Sequence, residues 1–306
     1  MFSQGVAVLF ESCPSVRELE AALRGFTIVK RTESSTSWAF GGQGLVLNYR
    51  PKVNGLISVD IVDRPWPDTM GDPQKDVDVF GAWSMGFFGP FTYPRNLERA
   101  TRHAWHWKDA ASAASRHRAF VRIRSSYTFG ADEDAPVLPR DYAPLPELLE
   151  VTRVARALLA IPGALAFFDP NGECLYPSSD IDELLGRHRS GGPFPQELWV
   201  NVRLINLGDA PPWIVMDTIG MSQLDVPDHE ACCDGKAYDL AEVANFVRNT
   251  AAYVFENGEV IRDGDTMDGP GGIRWQGATF EHGLLDPPRR VIRWFPLDGR
   301  ERPALS

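Results

Sequence analysis

The apolar positions at the start of the chain form one strand-type run followed by one helical stripe. The run Val6 to Phe10 is continuously apolar, which predicts a buried strand. The next segment, SVRELEAALRG, has apolar residues at helical spacing, and Ser15 with Glu18 has the spacing of a capping box. Because Gly25 is a typical helix stop, we expect a helix between these signals.

Strand-type patterns dominate the residues that follow. Branched apolar residues in FTIVKRT, GLVLNYR and LISVDIV predict three strands, the last two joined as a hairpin through Pro51 to Gly55. Farther along, RAFVRIRSSY alternates apolar residues with Arg122 and Arg124. This alternation predicts a strand with one face in water.

The segment from Arg64 to Pro94 is rich in Pro and Gly yet keeps many large aromatic residues. Loops normally expose few such side chains, so the segment is either packed as a plug under the sheet or exposed as a binding surface. We favour the plug. A helix is predicted from Pro94 to Trp107, with the proline near its first turn.

The C-terminal region contains the same mixture of elements. Helices are predicted in LPELLEVTRVARALLA, SSDIDELLGRHRSGG and LAEVANFVRNTAAYVFENG. Strands are predicted in GALAFFD, LWVNVRLINLG, PWIVMDTIGM, EVIRDGDTM, IRWQGATFEHG and RRVIRWFPL. Since the order lacks strict βαβ alternation, we predict an α+β fold with mixed or antiparallel sheets flanked by helices.

The stretch 129–146 separates the two regions. It combines acidic residues with prolines and has no apolar periodicity, which is typical of a linker. The prediction is therefore an N-terminal α+β half at 1–128 and a C-terminal α+β half at 147–306. The halves share an order of elements, which is compatible with an internal duplication.

Composition and charge narrow the function classes. The chain has 306 residues, 43% of them hydrophobic, so it can bury a large core. Its formal net charge of −10 opposes direct binding of a nucleic acid, because a polyanion is repelled. The same charge favours association with a basic partner, although acidity for solubility alone is the other interpretation.

Location and redox state can also be predicted. The first residues lack the pattern of a secretory signal, and no stretch approaches the roughly 18–20 apolar residues of a membrane span. We therefore expect a cytoplasmic protein with no membrane contact. The cysteines Cys13, Cys174, Cys232 and Cys233 contain no CxxC motif, so we expect reduced thiols and no zinc ribbon.

Two groups of residues suggest catalytic or metal chemistry. Cys232 and Cys233 lie near His229 in sequence, but no thiol-protease motif surrounds them. His103 and His106 have the spacing of two ligands on one helix face, yet the adjacent tryptophans favour packed, hydrogen-bonded rings. The structural interpretation is favoured for both groups.

Two further segments resemble ligand-binding motifs but lack the spacing that those motifs require. The segment Asp263 to Gly269, DGDTMDG, lacks the full acidic pattern of a calcium loop and is interpreted as a polar turn. The sequence GGQG at Gly41 to Gly44 has neither a P-loop lysine nor Rossmann spacing. We therefore expect no catalytic residues, no metal and no cofactor.

Several stretches resemble a known family. They are GPFTYPRNLERATRHAWHW with HRAFVRIRSSY, and PWIVMDTIGMSQLDVPDHE with EVIRDGDTM and IRW. The chain resembles bacterial immunity proteins of polymorphic toxin and type VI secretion systems, most of all the immunity protein 52 family. The resemblance implies an antitoxin that binds and neutralises a nuclease toxin of a restriction-endonuclease-like group. Uncharacterised bacterial domains with a similar DG(D/E)T turn match nearly as well.

An antidote of this kind can cover the basic groove in which a nuclease holds phosphates, so acidic clusters are candidate partner-binding segments. One such segment runs from Asp60 to Asp78 and includes a tryptophan as a candidate anchor, and the other runs from Asp225 to Asp239. The candidate residues are Asp63, Trp66, Asp68, Asp72, Asp76 and Asp78 in the first and Asp225, Asp228, Glu230 and Asp234 in the second.

Other interpretations stay open at this point. For both acidic segments, the interpretation as solvated loops without a partner is favoured over a binding role. The chain is also compatible with a homo-oligomer, with an enzyme that has a cryptic thiol or metal site, and with a secretion accessory or chaperone.

Overall fold

The computed structural model describes residues 1–132, 134–208 and 212–300. The chain divides into two compact units, Met1–Trp199 and Val200–Ser306, and in each of them a β-sheet is covered by α-helical structure. The α+β prediction is confirmed. The predicted boundary at 129–146 lies inside the first unit, because the first strand pairs with strands from both sides of it. The internal duplication stays a prediction.

The first unit is built on a seven-stranded antiparallel sheet with the strand order β2-β3-β4-β5-β1-β6-β7. Its strands are β1 (Gln4–Phe10), β2 (Ile28–Thr32), β3 (Gly44–Arg50), β4 (Gly55–Val62), β5 (Ala119–Ser126), β6 (Ala164–Asp169) and β7 (Cys174–Tyr176). The β3–β4 hairpin is confirmed. Its connection is a short 3₁₀ turn at Pro51–Val53 followed by Asn54 in the left-handed conformation.

The described residues of this unit form six α-helices. They are α1 (Val16–Ala22), α2 (Val77–Ser84), α3 (Asn96–Arg102), α4 (Ala110–Arg116), α5 (Pro144–Leu158) and α6 (Ser178–Arg189). The predicted capping box of α1 is confirmed: Ser15 and Glu18 each accept the other's backbone N–H. The helix ends at Ala22, before Gly25, and α3 is shorter than the predicted Pro94 to Trp107.

The aromatic segment after β4 packs mainly as a plug on one face of the sheet. Trp66 is 5% exposed, and its ring lies 5.1 Å from the ring of Phe120 and 5.1 Å from that of Phe168. Its indole N–H donates to Asn96 Oδ1 at 3.0 Å, and its backbone N–H donates to His117 Nε2 at 2.8 Å. Burying the indole and satisfying both donors fixes the plug to the sheet.

The prediction of a wet face on β5 is wrong, because the plug covers that face and every residue of the strand is buried. Arg122 and Arg124 instead converge on Asp60 of β4. Arg122 Nη2 lies 2.6 Å from Asp60 Oδ2, and Arg124 Nη2 lies 2.7 Å from Asp60 Oδ1. A buried arginine is tolerated only with such a partner, which the local alternation of residues cannot reveal.

The second unit is a six-stranded sheet with the order β11-β12-β13-β10-β9-β8. Its strands are β8 (Asn201–Asn206), β9 (Trp213–Ile219), β10 (Asp228–Asp234), β11 (Thr266–Gly269), β12 (Ile273–Phe280) and β13 (Val291–Pro296). The β10–β13 pair is parallel and the others are antiparallel, so the sheet is mixed. Helix α7 (Leu240–Asn257) packs its apolar stripe on one face.

One strand prediction in this unit is largely wrong. Most of EVIRDGDTM precedes β11, which begins only at Thr266. The two predicted strands after it are confirmed as β12 and β13. Across the described ranges 1–132, 134–208 and 212–300, we find no helix with the length and apolar character required to cross a bilayer.

Candidate partner-binding surface

Part of the first acidic segment serves the fold. Asp60 is the buried counter-ion of two arginines. Asp68 accepts the backbone N–H groups of Leu97 and Glu98 at 2.9 Å each, so it satisfies donors of the first turn of α3. Trp66 lies inside the plug, so the prediction that it is an anchor for a partner is wrong.

The remaining acids of this segment are exposed. Asp63 follows β4 directly, and Asp72 and Asp76 form a turn before α2. Asp72 Oδ1 accepts the backbone N–H of Gln74 at 2.8 Å, and Asp76 Oδ2 accepts the backbone N–H of Asp72 at 2.9 Å. Each of these two carboxylates therefore keeps one oxygen outside these bonds, while its position is fixed by the turn.

Helix α2 adds exposed apolar side chains to this acidic turn. Its buried side holds Ala82 and Trp83, while Val77 is 60% exposed and Phe80 is 36% exposed. These two lie three residues apart, on one face of the helix. Met85, directly after the helix, is 62% exposed.

We call this combination the α2 surface. It consists of Asp72, Asp76, Val77, Asp78, Phe80 and Met85. The sequence prediction found its acids but missed its apolar members. The available signal was that VDVFGAWS is apolar on more than one side, so burying Trp83 leaves other apolar residues in water.

The second acidic segment is mostly the central strand β10. Asp228 and Glu230 are 0% exposed, so their prediction as partner-binding residues is wrong. Asp234 is partly buried at the end of the strand and pairs with Arg300 Nη1 at 2.7 Å. Asp225 is exposed, in the left-handed conformation after a 3₁₀ turn.

The buried acids of β10 belong to a row of charges across four strands. In register, Arg203 of β8 lies beside Asp217 of β9, Asp217 beside Glu230 of β10, and Glu230 beside Arg293 of β13. Arg293 Nε donates to Glu230 Oε2 at 2.9 Å. We call this row, together with the adjoining Asp228 and Arg289, the charge ladder. It contains three carboxylates and three guanidinium groups, so its formal charge is zero.

Arg289 connects two carboxylates of the charge ladder. Its Nη2 donates to Asp217 Oδ2, and its Nε lies 3.3 Å from Asp228 Oδ2. Burial opposes ionisation of Asp217, but its two arginine partners outweigh that effect, so its pKa lies below the ordinary value. Burial raises the pKa of Asp228 to about 6, because a single longer contact to Arg289 compensates less.

The candidate thiol site does not have the properties of a nucleophile. Cys232 and Cys233 are both fully buried, and burial raises the pKa of each thiol to about 12. His229 accepts the indole N–H of Trp294 through Nδ1 at 3.0 Å, and burial lowers its pKa to about 3. Neither thiol is therefore ionised at neutral pH, and an imidazole with so low a pKa is a weak base.

The two histidines considered as metal ligands are packed in the first unit. His106 Nε2 bonds to Leu175 O at 3.1 Å, and its ring stacks on Tyr176 with centroids 4.1 Å apart. His103 is buried, with its ring 5.7 Å from that of Trp105. Among the residues that the structure describes, no three His, Cys, Asp or Glu side chains are grouped so as to hold a metal ion.

The two weak motifs also have structural roles. Asp263 Oδ1 accepts the backbone N–H of Thr279 at 2.6 Å, while Asp268 pairs with Arg274 at 3.0 Å, as in a polar turn. In GGQG, the Gly42 backbone N–H donates to Asp60 Oδ2 at 2.9 Å. A Cβ at Gly42 would lie 1.7 Å from the carbonyl oxygen of Ile61, so only glycine permits this approach.

Comparison with known proteins gives one family match. Residues 217–295 match a family model described as "Domain of unknown function (DUF4261)". No curated protein matches the chain, and no solved structure does. The matched segment begins at Asp217, ends one residue before the end of β13, and contains every member of the charge ladder except Arg203.

Proposed function

We propose that the protein is an immunity-type antitoxin that binds and neutralises a cognate bacterial nuclease toxin, one delivered by a type VI secretion system. It would act in the cytoplasm, where the toxin meets nucleic acid. The observation that carries the proposal is the α2 surface, which combines exposed carboxylates with exposed apolar side chains.

Each half of that combination has a physical role. The carboxylates attract a basic partner, and a net charge of −10 extends the attraction beyond contact distance. Phe80, Val77 and Met85 supply apolar area that is exposed in the free protein and would be removed from water in a complex. Interfaces typically combine such an apolar centre with a polar rim.

The inhibition we propose is occlusion. A nuclease holds the phosphates of its substrate in a basic groove, and carboxylates on the α2 surface would occupy the positions of those phosphates. The thiol-enzyme alternative has weaker support, because burial raises the pKa of both adjacent thiols to about 12.

The test is co-expression of the protein with the product of the neighbouring reading frame. We expect rescue of growth and co-purification of the two chains. A triple variant, Asp72→Asn, Asp76→Asn and Asp78→Asn, removes three negative charges. Each asparagine still has a side-chain oxygen that can accept the N–H groups of the turn. A second variant, Phe80→Ala, removes the largest apolar group. We expect both to bind more weakly by about tenfold or more.

A matched control separates the surface from net charge. Asp134→Asn, Glu183→Gln and Glu256→Gln change exposed acids elsewhere. Both triple variants have the same formal charge, because three lost carboxylates change −10 to −7. The control should bind like the wild type. If the neighbouring product is not neutralised by the wild type, the proposed function is wrong, and if both triple variants bind equally, the α2 surface is wrong.

A further inference from the structure

A cleft of about 1070 Å³ opens in the first unit, on the sheet face that carries the plug. Its floor is formed by Ser58 and Asp60 of β4 and by Arg124 and Ser126 of β5. Ser58 and Arg124 are cross-strand partners in register, so these polar groups are adjacent. The plug therefore leaves one end of the polar floor open to the cleft.

The two arginines at Asp60 differ in how well their N–H groups are satisfied. Arg122 makes four hydrogen bonds, two to Asp60 and one each to the carbonyls of Ala39 and Trp38. Arg124 makes two, from Nη2 to Asp60 Oδ1 and from Nη1 to the carbonyl of Phe87. A guanidinium has five N–H donors, so within the described residues about three of those on Arg124 have no acceptor, its Nε included.

The floor also carries a surplus positive charge. One carboxylate, Asp60, faces the two guanidinium groups of Arg122 and Arg124, so this group has a formal charge of +1. Both arginines are under 5% exposed. Burial lowers the pKa of Arg124 to about 10, which still leaves it charged at neutral pH and reflects incomplete compensation.

The described residues at the mouth of the cleft do not neutralise that charge. Arg31 is paired with Glu20 at 2.5 Å, and Lys30 and Glu33 offset each other in formal charge. The rest of the lining is largely apolar. Its large apolar members are Met1, Phe2, Phe40, Met85, Phe87 and Phe129.

Two of these rings enclose the guanidinium. The centroid of Phe2 lies 4.2 Å from Arg124 Cζ, and that of Phe87 lies 5.2 Å away. Aromatic walls lower the local dielectric, so an anion that reaches Arg124 is held more strongly than it would be in water. Binding sites for small molecules have this form, an apolar cleft with a few fixed polar groups.

We propose that this cleft is a binding site for an amphiphilic anion, whose acidic head group pairs with Arg124 and whose apolar body packs among the aromatic and methionine side chains of the mouth. The ligand class is an organic acid with one carboxylate, sulfonate or phosphate head. The head accepts the spare N–H groups of Arg124, with the Ser58 hydroxyl as a further donor. The cleft shares Met85 with the α2 surface but none of its acids, and binding there does not depend on the proposed function.

The test compares two fluorescent dyes of nearly the same shape. Anilinonaphthalene sulfonate carries an anionic head, and N-phenylnaphthylamine lacks it. We expect saturable binding of both, with the sulfonate tighter by about tenfold or more, the effect of a charge-assisted hydrogen bond. Decanoate should displace the dye at lower concentration than decanol does.

Variants then locate the site. Arg124→Met should abolish the preference for the sulfonate while keeping the neutral dye. Ser84→Trp, an exposed position at the mouth, should weaken both dyes. Arg187→Met removes an exposed arginine outside the cleft and should change neither affinity. Thermal melting by circular dichroism shows whether each variant is folded.

The proposal is overturned if the wild type binds the two dyes equally, if decanoate and decanol compete equally, or if Ser84→Trp leaves binding unchanged. The first two measurements use the wild-type chain alone. They therefore decide the question even if Arg124→Met fails to fold.

Discussion

Arg203 and Asp217 lie opposite each other on β8 and β9 and pair through both ends of the guanidinium fork, with Nε–Oδ1 at 3.0 Å and Nη2–Oδ2 at 2.6 Å. Arg289 pairs with the same carboxylate. The substitution Asp217→Asn removes the negative charge, so the buried guanidinium groups of Arg203 and Arg289 lose their shared counter-ion. We expect the free energy of unfolding to fall by about 3–5 kcal/mol, measured by urea denaturation.

An exposed pair is the control for this loss. Glu98 pairs with Arg95 at 2.8 Å on the surface of α3, and Glu98→Gln should cost less than about 1 kcal/mol. If the two variants lose the same free energy of unfolding, burial does not explain the contribution of the charge ladder to stability.

His229 should make the second unit sensitive to acid. Burial lowers its pKa to about 3, from an ordinary value of 6.5, so folding favours the neutral ring. The resulting stability is present above about pH 6.5 and is lost as the pH falls toward 3. Between about pH 7 and pH 5 this amounts to about 2 kcal/mol.

The variant His229→Gln removes the titrating group but keeps an acceptor for the Trp294 indole. Its unfolding free energy should depend less on pH over that interval than the wild type's. Urea denaturation at both pH values measures the difference. If the unfolding free energies of the wild type and the variant change equally with pH, His229 does not cause the acid sensitivity.

Asp228 should have the opposite effect. Burial raises its pKa to about 6, from 3.8, so folding favours the protonated form. Its contribution to stability is present below about pH 4 and is lost as the pH rises through 6, a difference of about 3 kcal/mol. Asp228→Asn is neutral throughout and keeps an oxygen for Thr218 and Met221.

We therefore expect Asp228→Asn to be more stable than the wild type near neutral pH and about equal to it near pH 4. The measurement is again urea denaturation across the pH range. A variant that is less stable at neutral pH would mean that the ionised carboxylate is held by Arg289 more strongly than the 3.3 Å contact indicates.

The sequence predicted those features that depend on residues close together in the chain. The capping box of α1 involves residues three apart, and the β3–β4 hairpin needs only its own turn residues, so both were predictable. The strand β10 was not, because DHEACCD is acidic in any local window. Its acids are balanced by arginines from β13, from the loop before it and, through Asp217, from β8.

The candidate surface shows the same division. The acids of the segment Asp60 to Asp78 were identified from composition, but their roles depend on partners far along the chain. Asp60 meets Arg122 and Arg124, and Asp68 caps α3, so both are structural. The first pairing cannot be inferred without knowing that β4 and β5 are neighbours, and the second cannot be inferred without knowing that Asp68 lies beside the first turn of α3.

Cys13 should be a slow thiol even though it is exposed. Partial burial, reinforced by the Asp63 carboxylate, raises its pKa to about 11. At about pH 8 we expect it to react with an aromatic disulfide reagent about tenfold more slowly than free cysteine does, after allowance for solvent screening. Asp63→Asn should recover part of that rate, and an unchanged rate would exclude a role for the carboxylate. The three buried thiols should react only after unfolding.

The last prediction concerns how the proposed complex forms. If the α2 surface steers a basic partner, the association rate should fall steeply as ionic strength rises, because the attraction is screened over about 8 Å at physiological salt. The triple Asn variant at Asp72, Asp76 and Asp78 should associate more slowly at low salt and show a shallower salt dependence. Phe80→Ala should act differently, raising the dissociation rate with little effect on association, because apolar contacts form after encounter. Stopped-flow measurements separate the two rates. A wild-type association rate that does not change with salt would exclude steering and leave the apolar residues of α2 as the basis of binding.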